Sequence, residues 1–233
     1  MLYKSEYGEV NFWDPYPQLN DYQKIGVNLS AGTDSALVMF MTLAKLREMN
    51  SNATVIPITG VHNKRPTNIW HANEIVLLFK EMFPDVNIGE HQVNHYDKKH
   101  EKDKVNHHQQ HERYLIDNNI IDVLFHGRTA NPLKEEGSEF DLQFKRETKR
   151  DKAIEPKPVF FPRYPFYVPL ENVDKRFVAD MYKQNGLMEE LFPLTASCVE
   201  YGDRTNYFSE PCKKCWWCRE KKWAFGMYDG GVQ

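Results

Sequence analysis

Short apolar runs alternate with amphipathic stretches through the first half of the chain. Three runs have the length and composition of buried strands, at residues 24–29, 54–59 and 121–126. Two stretches between them carry apolar side chains at helical spacing, at residues 34–49 and 69–82. Pro84 ends the second stretch, because proline cannot continue a helix. Strands that alternate with helices predict an α/β fold, a doubly wound parallel sheet with helices on both faces.

The remaining elements have weaker signals. Residues 86–93 predict a third strand along the chain, and residues 103–118 predict a polar helix. Residues 133–157 are charged and hold few apolar anchors, so we expect a mobile surface insertion there. After an aromatic- and proline-rich stretch, residues 173–186 predict a further helix with Gly186 as its C-cap.

Composition and charge limit the classes of partner. The chain has 30 Lys+Arg against 33 Asp+Glu and a net charge of -3, so no global charge favours nucleic acid or an anionic membrane. Residues 1–19 lack a basic stretch followed by an apolar one, which argues against a secretory signal. No apolar run reaches membrane-spanning length. We therefore expect a soluble, cytoplasmic protein with no membrane contact.

A loop of small residues follows the first predicted strand and precedes the first predicted helix. At this position, backbone N–H groups and the helix dipole favour a bound phosphate. No lysine follows Gly32, which excludes the G-x-x-x-x-G-K-S/T loop of the common NTPases. The alternative is an ordinary strand-to-helix turn with Asp34 and Ser35 as capping residues. The loop reads Ser30-Ala31-Gly32-Thr33-Asp34-Ser35.

The four cysteines of the chain lie near its C-terminus, and three of them are spaced by two residues. They are Cys198, Cys212, Cys215 and Cys218. Four thiolates complete the tetrahedral coordination of Zn²⁺ and leave no open position, which is typical of a structural site. An iron–sulfur cluster uses the same ligands and a similar spacing. Four unmodified thiols are the remaining alternative.

The loop resembles the S-G-G-x-D-S loop of the PP-loop ATP pyrophosphatases, with Ala31 where that family usually has its first glycine. The resemblance implies an adenine nucleotide alpha hydrolase-like fold that binds ATP and Mg²⁺ and cleaves ATP between the α- and β-phosphates. It implies that Ser30, Ala31, Gly32 and Thr33 bind the nucleotide. Asp34 and Ser35 would bind it as well and act in catalysis.

The C-terminal part resembles the 7-cyano-7-deazaguanine synthases of queuosine biosynthesis within that superfamily. Their T-x-S-C and P-C-G-x-C-x-x-C-x-x-R segments are similar to Thr195-Ala196-Ser197-Cys198 and to residues 211–219, with Phe225 beyond. Pro169-Leu170 followed by Lys175 is similar to their P-L-x-x-x-x-K segment, so Lys175 is expected to bind the nucleotide. The resemblance implies a ligase that holds zinc and joins a deazaguanine-type acid to ammonia.

Several positions depart from this pattern. Lys213 replaces a glycine, and Trp216-Trp217 replaces small or polar residues. The tyrosine–proline–aspartate substrate segment is missing, and residues 126–132 follow a strand in its place. Gly127 and Arg128 are expected to line the nucleotide crevice there, and Arg128 and Thr129 to contact phosphate or acceptor. A plain turn is the alternative.

Two further patterns favour a structural interpretation. His107 and His111 share one face of a predicted helix and could hold zinc, but no glutamate follows the first, so a solvated polar face is the better hypothesis. Residues 212–223 interleave lysines with tryptophans, which suits single-stranded nucleic acid. The better hypothesis is that the tryptophans pack the metal element onto the sheet while the lysines keep its outside soluble.

These observations give one leading hypothesis and two alternatives. Residues 1–190 form the nucleotide-binding domain, and residues 191–233 form a zinc-binding element packed on it. The chain adenylates 7-carboxy-7-deazaguanine, and ammonia then displaces AMP on the way to the nitrile. One alternative is a tRNA-modifying sulfurtransferase, which needs a reactive cysteine that the metal site would not leave. The other is a non-catalytic nucleic-acid-binding module. The sequence leaves nucleic-acid binding and a homodimer open.

Overall fold

The computed structural model describes residues 1–63, 65–96, 107–132, 150, 158–161, 165–199, 205–207 and 209–232. The strands are β1 (Leu2–Ser5), β2 (Gly8–Asn11), β3 (Lys24–Asn28), β4 (Thr54–His62), β5 (Asn87–Ile88), β6 (Gln92–Tyr96), β7 (Val123–His126), β8 (Val159–Phe161) and β9 (Phe166–Val168). The α-helices are α1 (Thr33–Glu48), α2 (Asn68–Met82), α3 (His107–Asp117), α4 (Lys175–Gln184) and α5 (Trp216–Phe225). Short 3-10 helices lie at Pro17–Asp21, Phe192–Leu194 and Asp229–Gly231.

Among the described residues, seven strands form the central sheet: six follow the order β5-β4-β3-β7-β9-β8, and the seventh, β6, also pairs with β4. All pairings in it are parallel except that of β8 with β9. β1 and β2 form a separate antiparallel hairpin. The predicted α/β fold with a mostly parallel sheet is therefore confirmed.

One predicted strand is wrong. Residues 86–93 form two strands, β5 and β6, which pair with opposite halves of β4. The chain turns between them after Gly89, whose backbone N–H donates to Val55 O at 2.8 Å. A Cβ at Gly89 would lie 3.0 Å from Thr54 Cγ2, so glycine lets the turn pass close to β4.

Helices cover both faces of the sheet, as the sequence predicts. α1, α2 and α4 pack on one face, where side chains such as Val27, Leu37 and Phe177 are fully buried in the main core. α3 packs on the other face, where Leu115 joins a smaller core with Ile58 and other strand residues. The face under α3 also needs Gly26, because a Cβ there would lie 2.8 Å from Ile121 Cδ1. The sheet core therefore fixes α1 and α3 on opposite sides of β3.

Some predictions fall outside the described residues. The expected mobile insertion at residues 133–157 does, except for Arg150, which is buried. The predicted polar helix is described from His107 onward. Gly186 follows the C-cap of α4 with φ 69°, the left-handed conformation expected of it. Among the described helices, none has both the length and the apolar composition to span a bilayer.

Candidate active site

The loop of small residues leaves the carboxyl end of the central strand β3 and enters α1. Ala31 has φ 66°, a left-handed conformation that costs a non-glycine residue about 1 kcal/mol or more. Gly32 is the N-cap of α1 with extended backbone. The first-turn N–H groups of α1 have no partner within the helix, so they are available to an anion.

Two serine hydroxyls close this loop. Ser30 Oγ lies 3.2 Å from Ser35 Oγ, and the Ser30 N–H donates to Ser35 Oγ at 3.2 Å. Ser35 Oγ donates in turn to Gly32 O at 3.0 Å. Ser35 therefore joins the start and the end of the loop, and it is more than an isolated cap.

Lys175, the first residue of α4, faces this loop from a position distant in sequence. Its ammonium lies 2.6 Å from Asp34 Oδ2 and 3.4 Å from Thr33 Oγ1. Its side chain is only 5% exposed, so the charge is directed at the loop. α4 also contributes Tyr182, whose buried hydroxyl donates to Thr33 O at 3.0 Å.

Asp34 keeps one oxygen uncommitted. Its Oδ1 is buried and has no hydrogen-bond partner among the described residues, whereas Oδ2 is paired with Lys175. An uncommitted carboxylate oxygen suits a hard cation, so the residues fit the Mg²⁺ that the sequence resemblance implies.

Gly127, at the end of β7, packs directly on the first turn of α1. A Cβ at Gly127 would lie 2.5 Å from Ser35 N and 2.6 Å from Asp34 C. The next residue, Arg128, pairs with Glu171 at the surface. The structure thus brings Gly127 to the loop, while Arg128 is committed to Glu171.

The segment before the cysteines runs beside the loop. Ala196 N donates to Ala31 O at 2.8 Å, and Arg65 donates to Ala196 O at 2.8 Å. Ser197 Oγ is buried with no hydrogen-bond partner, and it lies 3.8 Å from the position of a Cβ on Gly32. An unpartnered hydroxyl beside the N-cap of α1 is a further donor for an anion.

The four cysteines converge on one point. Their Sγ atoms lie within 4.8 Å of one another, and Cys212 Sγ lies 3.9 Å from Cys218 Sγ. The backbone N–H groups of Lys214 and Cys215 donate to Cys212 Sγ at 3.4 and 3.3 Å. Lys213, where the resemblance has glycine, takes the left-handed φ of 59°. The cluster has the composition of a metal site.

The electrostatics of the cluster also favour a cation. A hydrogen bond that the Cys215 thiol donates to Cys198 is the main cause that raises the pKa of Cys215 to about 12. Contacts with Cys198 and Cys215, followed by burial, raise the pKa of Cys218 well above its ordinary value. Thiolates packed this closely repel one another, and a bound metal ion relieves that repulsion.

The sequence matches no known protein-family profile, and no curated protein matches it. Among solved structures, it is similar to the U34-tRNA thiolase NcsA from Methanococcus maripaludis with its 4Fe-4S cluster. The TM-score is 0.41 and the sequence identity is 14%. The match covers 70% of this chain and 56% of that one, so this chain spans little more than half of that structure.

A second polar cluster lies at the same edge of the sheet. Asn28 and His126 are register partners at the ends of β3 and β7. Asn28 Nδ2 donates to Glu112 Oε1 at 2.6 Å, and His108 Nε2 lies 3.0 Å from the same oxygen. His126 Nε2 lies 3.8 Å from it. A buried carboxylate of α3 therefore joins two strand ends and a histidine.

Charges in this cluster keep its carboxylate ionised. Burial acts to raise the pKa of Glu112, but the hydrogen bond with His108 and the charge of His126 outweigh it and lower the pKa below its usual value. Burial lowers the pKa of His126. Glu112 and His126 line a cavity of about 290 Å³. The other lining residues are Gln109, Arg113, Arg128, Phe161, Phe166 and Val168.

The structure bears on two sequence patterns. Among the described residues, the cysteine cluster is the only group of three or more His, Cys, Asp or Glu side chains placed to hold a metal ion, and His107 and His111 belong to no such group. Lys221 was expected to keep the metal element soluble, but it is fully buried and donates to Asp229 Oδ1 at 2.6 Å. Trp223 packs against Arg176, whose Cζ lies 4.5 Å from the ring centroid.

Sequence reasoning missed the partners that only the fold brings together. They are Asn28, Arg65, His108, Glu112, Arg150, Ser197 as a site donor, and Glu220. One signal was present for the first of them: a polar residue at the end of an otherwise apolar buried strand marks the carboxyl edge of the sheet. The others depend on contacts between residues far apart in the chain.

Proposed function

We propose that this chain is an ATP pyrophosphatase of the PP-loop type, which transfers AMP to the carboxylate of an acceptor and releases pyrophosphate. The observation that supports this best is the loop after β3, which leads into the N-terminus of α1. The buried Lys175 ammonium lies against this loop. This arrangement provides backbone donors, a helix dipole and a cation for a phosphate chain. The loop has no lysine of the Walker type, and by its resemblance to the PP-loop we propose that it holds the pyrophosphate part of ATP.

The residues of the loop have separate roles in this proposal. The N–H groups at the start of α1 and the hydroxyls of Ser30 and Ser197 donate to phosphate oxygens. Lys175 neutralises the charge that develops on the leaving pyrophosphate. Asp34 Oδ1 would hold Mg²⁺, which supplies further neutralisation of phosphate charge when bound. Ser35 fixes the loop shape through its contacts with Ser30 and Gly32. Catalysis then rests on orientation and charge stabilisation.

We further propose that the acceptor is 7-carboxy-7-deazaguanine, by the resemblance of the C-terminal segment to the enzymes that convert it. A carboxylate oxygen attacks the α-phosphorus, pyrophosphate leaves, and ammonia displaces AMP to give the amide. A second ATP then activates the amide oxygen, which leaves with AMP as the nitrile forms. The carboxylate loses both of its oxygens, one to each AMP.

We propose that the cysteine cluster holds one structural zinc ion. A tetrahedron with Zn–S bonds of about 2.3 Å has S···S edges of about 3.8 Å. The observed 3.9 Å between Cys212 and Cys218 suits a single ion, whereas an iron–sulfur cluster is larger and holds its thiolates farther apart. With all four cysteines in one group, no cysteine is left for sulfur transfer, which argues against the sulfurtransferase alternative.

The packing of the tryptophans also argues against the nucleic-acid-binding alternative. Trp217 lies against Arg150, with 5.2 Å from Cζ to the ring, and Trp223 lies against Arg176. In each of these two rings, the face that lies against an arginine is not available to stack on a base. Cytoplasmic location and a homodimer stay predictions from the sequence.

The proposal is tested by the products of ATP. The purified protein is incubated with ATP, Mg²⁺, ammonium and 7-carboxy-7-deazaguanine, and the phosphorus species are followed by NMR. The expected products are AMP and pyrophosphate, formed only when the acid is present. ADP and inorganic phosphate would reject cleavage between the α- and β-phosphates. AMP formation with other acids but not with this one would reject the acceptor and keep the adenylation.

A further inference from the structure

A buried carboxylate of the C-terminal element lies behind the lysine of the phosphate site. Glu220, on α5, is fully buried, and its Oε2 lies 3.8 Å from Lys175 Nζ. Its other oxygen, Oε1, accepts from Arg150 Nη2 at 3.0 Å. Arg150 also donates to the backbone oxygen of Thr129, at 2.9 Å. Lys175 is thus held between two carboxylates, Asp34 in front and Glu220 behind.

The Oε2 atom of Glu220 is the unusual part of this arrangement. It is buried and accepts no hydrogen bond from the described residues, and it pairs with the Lys175 ammonium. A buried carboxylate oxygen without a hydrogen bond is costly unless a nearby charge compensates it. The ammonium is that charge, and Glu220 in turn keeps the ammonium from being an isolated cation.

We infer that Glu220 is a positioning residue for the phosphate site, acting through Lys175. This inference rests on the proposed function. With Asp34 as the only carboxylate near Lys175, an ammonium that turned from Asp34 to a phosphate would lose its neutralising partner within the protein. Glu220 supplies a second one from behind, so Lys175 can turn to a phosphate and stay compensated. Arg150 fixes Glu220 in place, because it donates to Glu220 Oε1 and is itself held by its hydrogen bond to Thr129 O.

The position of Glu220 gives the C-terminal element a role in nucleotide binding. α5 begins directly after Cys215 and carries both Cys218 and Glu220. The same helix carries Lys221, which pairs with Asp229 and donates to Thr195 Oγ1 at 2.9 Å. The element that gathers the cysteines therefore also supplies the carboxylate behind the phosphate loop.

The test compares the affinities for ATP and for adenosine, measured by calorimetry on the whole chain. Lys175 acts on phosphates alone, so Glu220→Gln should weaken ATP binding about tenfold or more and leave adenosine binding within about twofold. Glu112→Gln is the matched control, since the same change removes the charge of a buried carboxylate that pairs with His108 and has no role at the phosphate site. It should lower thermal stability and keep the wild-type ratio of the two affinities.

A double variant keeps the test independent of folding losses. Lys175→Met with Glu220→Gln removes both charges of the pair, and it should bind ATP as Lys175→Met alone does, because Glu220 acts through Lys175. If Glu220→Gln keeps the wild-type ratio of ATP to adenosine affinity, with or without equal losses in both, the inference about Glu220 is wrong and the proposed function still stands. A wild-type protein that binds ATP no more tightly than adenosine would overturn the proposed function and this inference with it.

Discussion

The Lys175 ammonium lies 2.6 Å from the Asp34 carboxylate, although 141 residues separate them in the chain. Both side chains are at the first turn of a helix, Asp34 in α1 and Lys175 in α4. The contact therefore joins two helix N-termini around one loop. It also brings a lysine to a loop that has no lysine of its own.

The first prediction concerns Asp34. Asp34→Ala removes the partner of Lys175 and the free oxygen proposed to hold Mg²⁺, so pyrophosphate release should fall by about 100-fold or more. The fold should remain, because the main core does not include Asp34. The measurement is pyrophosphate release together with the melting temperature. Asp85→Ala, which removes a surface partner of Arg47, is the control and should keep its turnover. Unchanged turnover in Asp34→Ala would contradict the proposal that this loop binds the phosphates of ATP.

The second prediction concerns the contact of β7 with α1. Gly127→Ala would place a methyl group 2.5 Å from the backbone N of Ser35, so either the strand end or the helix must move. We expect a loss of about 1–3 kcal/mol in the free energy of unfolding and a weaker ATP site. Gly186→Ala is the control: it meets no atom within 4 Å and should cost only about 1 kcal/mol for its left-handed backbone. Equal ATP affinity in wild type and Gly127→Ala would contradict the proposed geometry.

The third prediction concerns the cysteine cluster. Elemental analysis of carefully purified protein should find about one zinc per chain, because four thiolates at this spacing complete a tetrahedral site. Binding of structural zinc contributes about 10 kcal/mol or more in small zinc-binding domains. Cys215→Ser should therefore lower solubility and melting temperature before it changes the chemistry of molecules that still fold. Iron together with visible absorbance would show that the cysteines hold an iron–sulfur cluster and not zinc. An absence of any metal would contradict the proposed metal site.

The fourth prediction concerns stability against pH. Burial lowers the pKa of His91 to about 4, and burial also lowers the pKa of His71, His111 and His126. The unfolded chain titrates its histidines near about 6.5, so between about pH 4 and 6.5 it binds more protons than the folded chain. The contribution of these neutral histidines to the free energy of unfolding should thus be complete above about pH 6.5 and should decrease as the pH drops toward 4.

Urea unfolding at a series of pH values measures this slope. His91→Gln removes the titrating group and keeps side-chain groups that can contact Thr59 and Asn73, which His91 contacts at 2.7 and 2.9 Å. The slope should be smaller in this variant. The same slope in both proteins would mean that His91 does not stay neutral in the fold.

The sequence predicted the first strand, both flanking helices and the loop between them because local periodicity and small residues decide these elements. It also predicted that the four cysteines belong together, from their spacing. It could not predict that Ala31 would take a left-handed backbone in place of glycine. That conformation is held by the neighbouring structure, including the bond from Ala196 N to Ala31 O, which no local pattern announces.

The sequence did not predict which charged side chains are buried. Lys221 and Glu220 look like solvated residues of a charged helix in sequence, yet both are fully buried. Their burial depends on partners at Asp229, Lys175 and Arg150, and these pairs are set by the tertiary fold alone. From residue type alone such side chains are predicted to be exposed, because burial of an unpaired charge costs too much free energy.

Transfer of oxygen from the acceptor to AMP tests the central claim most directly. The acid is prepared with ¹⁸O in both carboxylate positions and turned over with unlabelled ATP, Mg²⁺ and ammonium, and AMP is analysed by mass spectrometry. Attack of the carboxylate on the α-phosphorus predicts one ¹⁸O in each AMP and none in pyrophosphate. Unlabelled AMP would mean that water attacks the α-phosphorus, and ¹⁸O in inorganic phosphate would mean transfer of the γ-phosphoryl group. Either result would contradict the account.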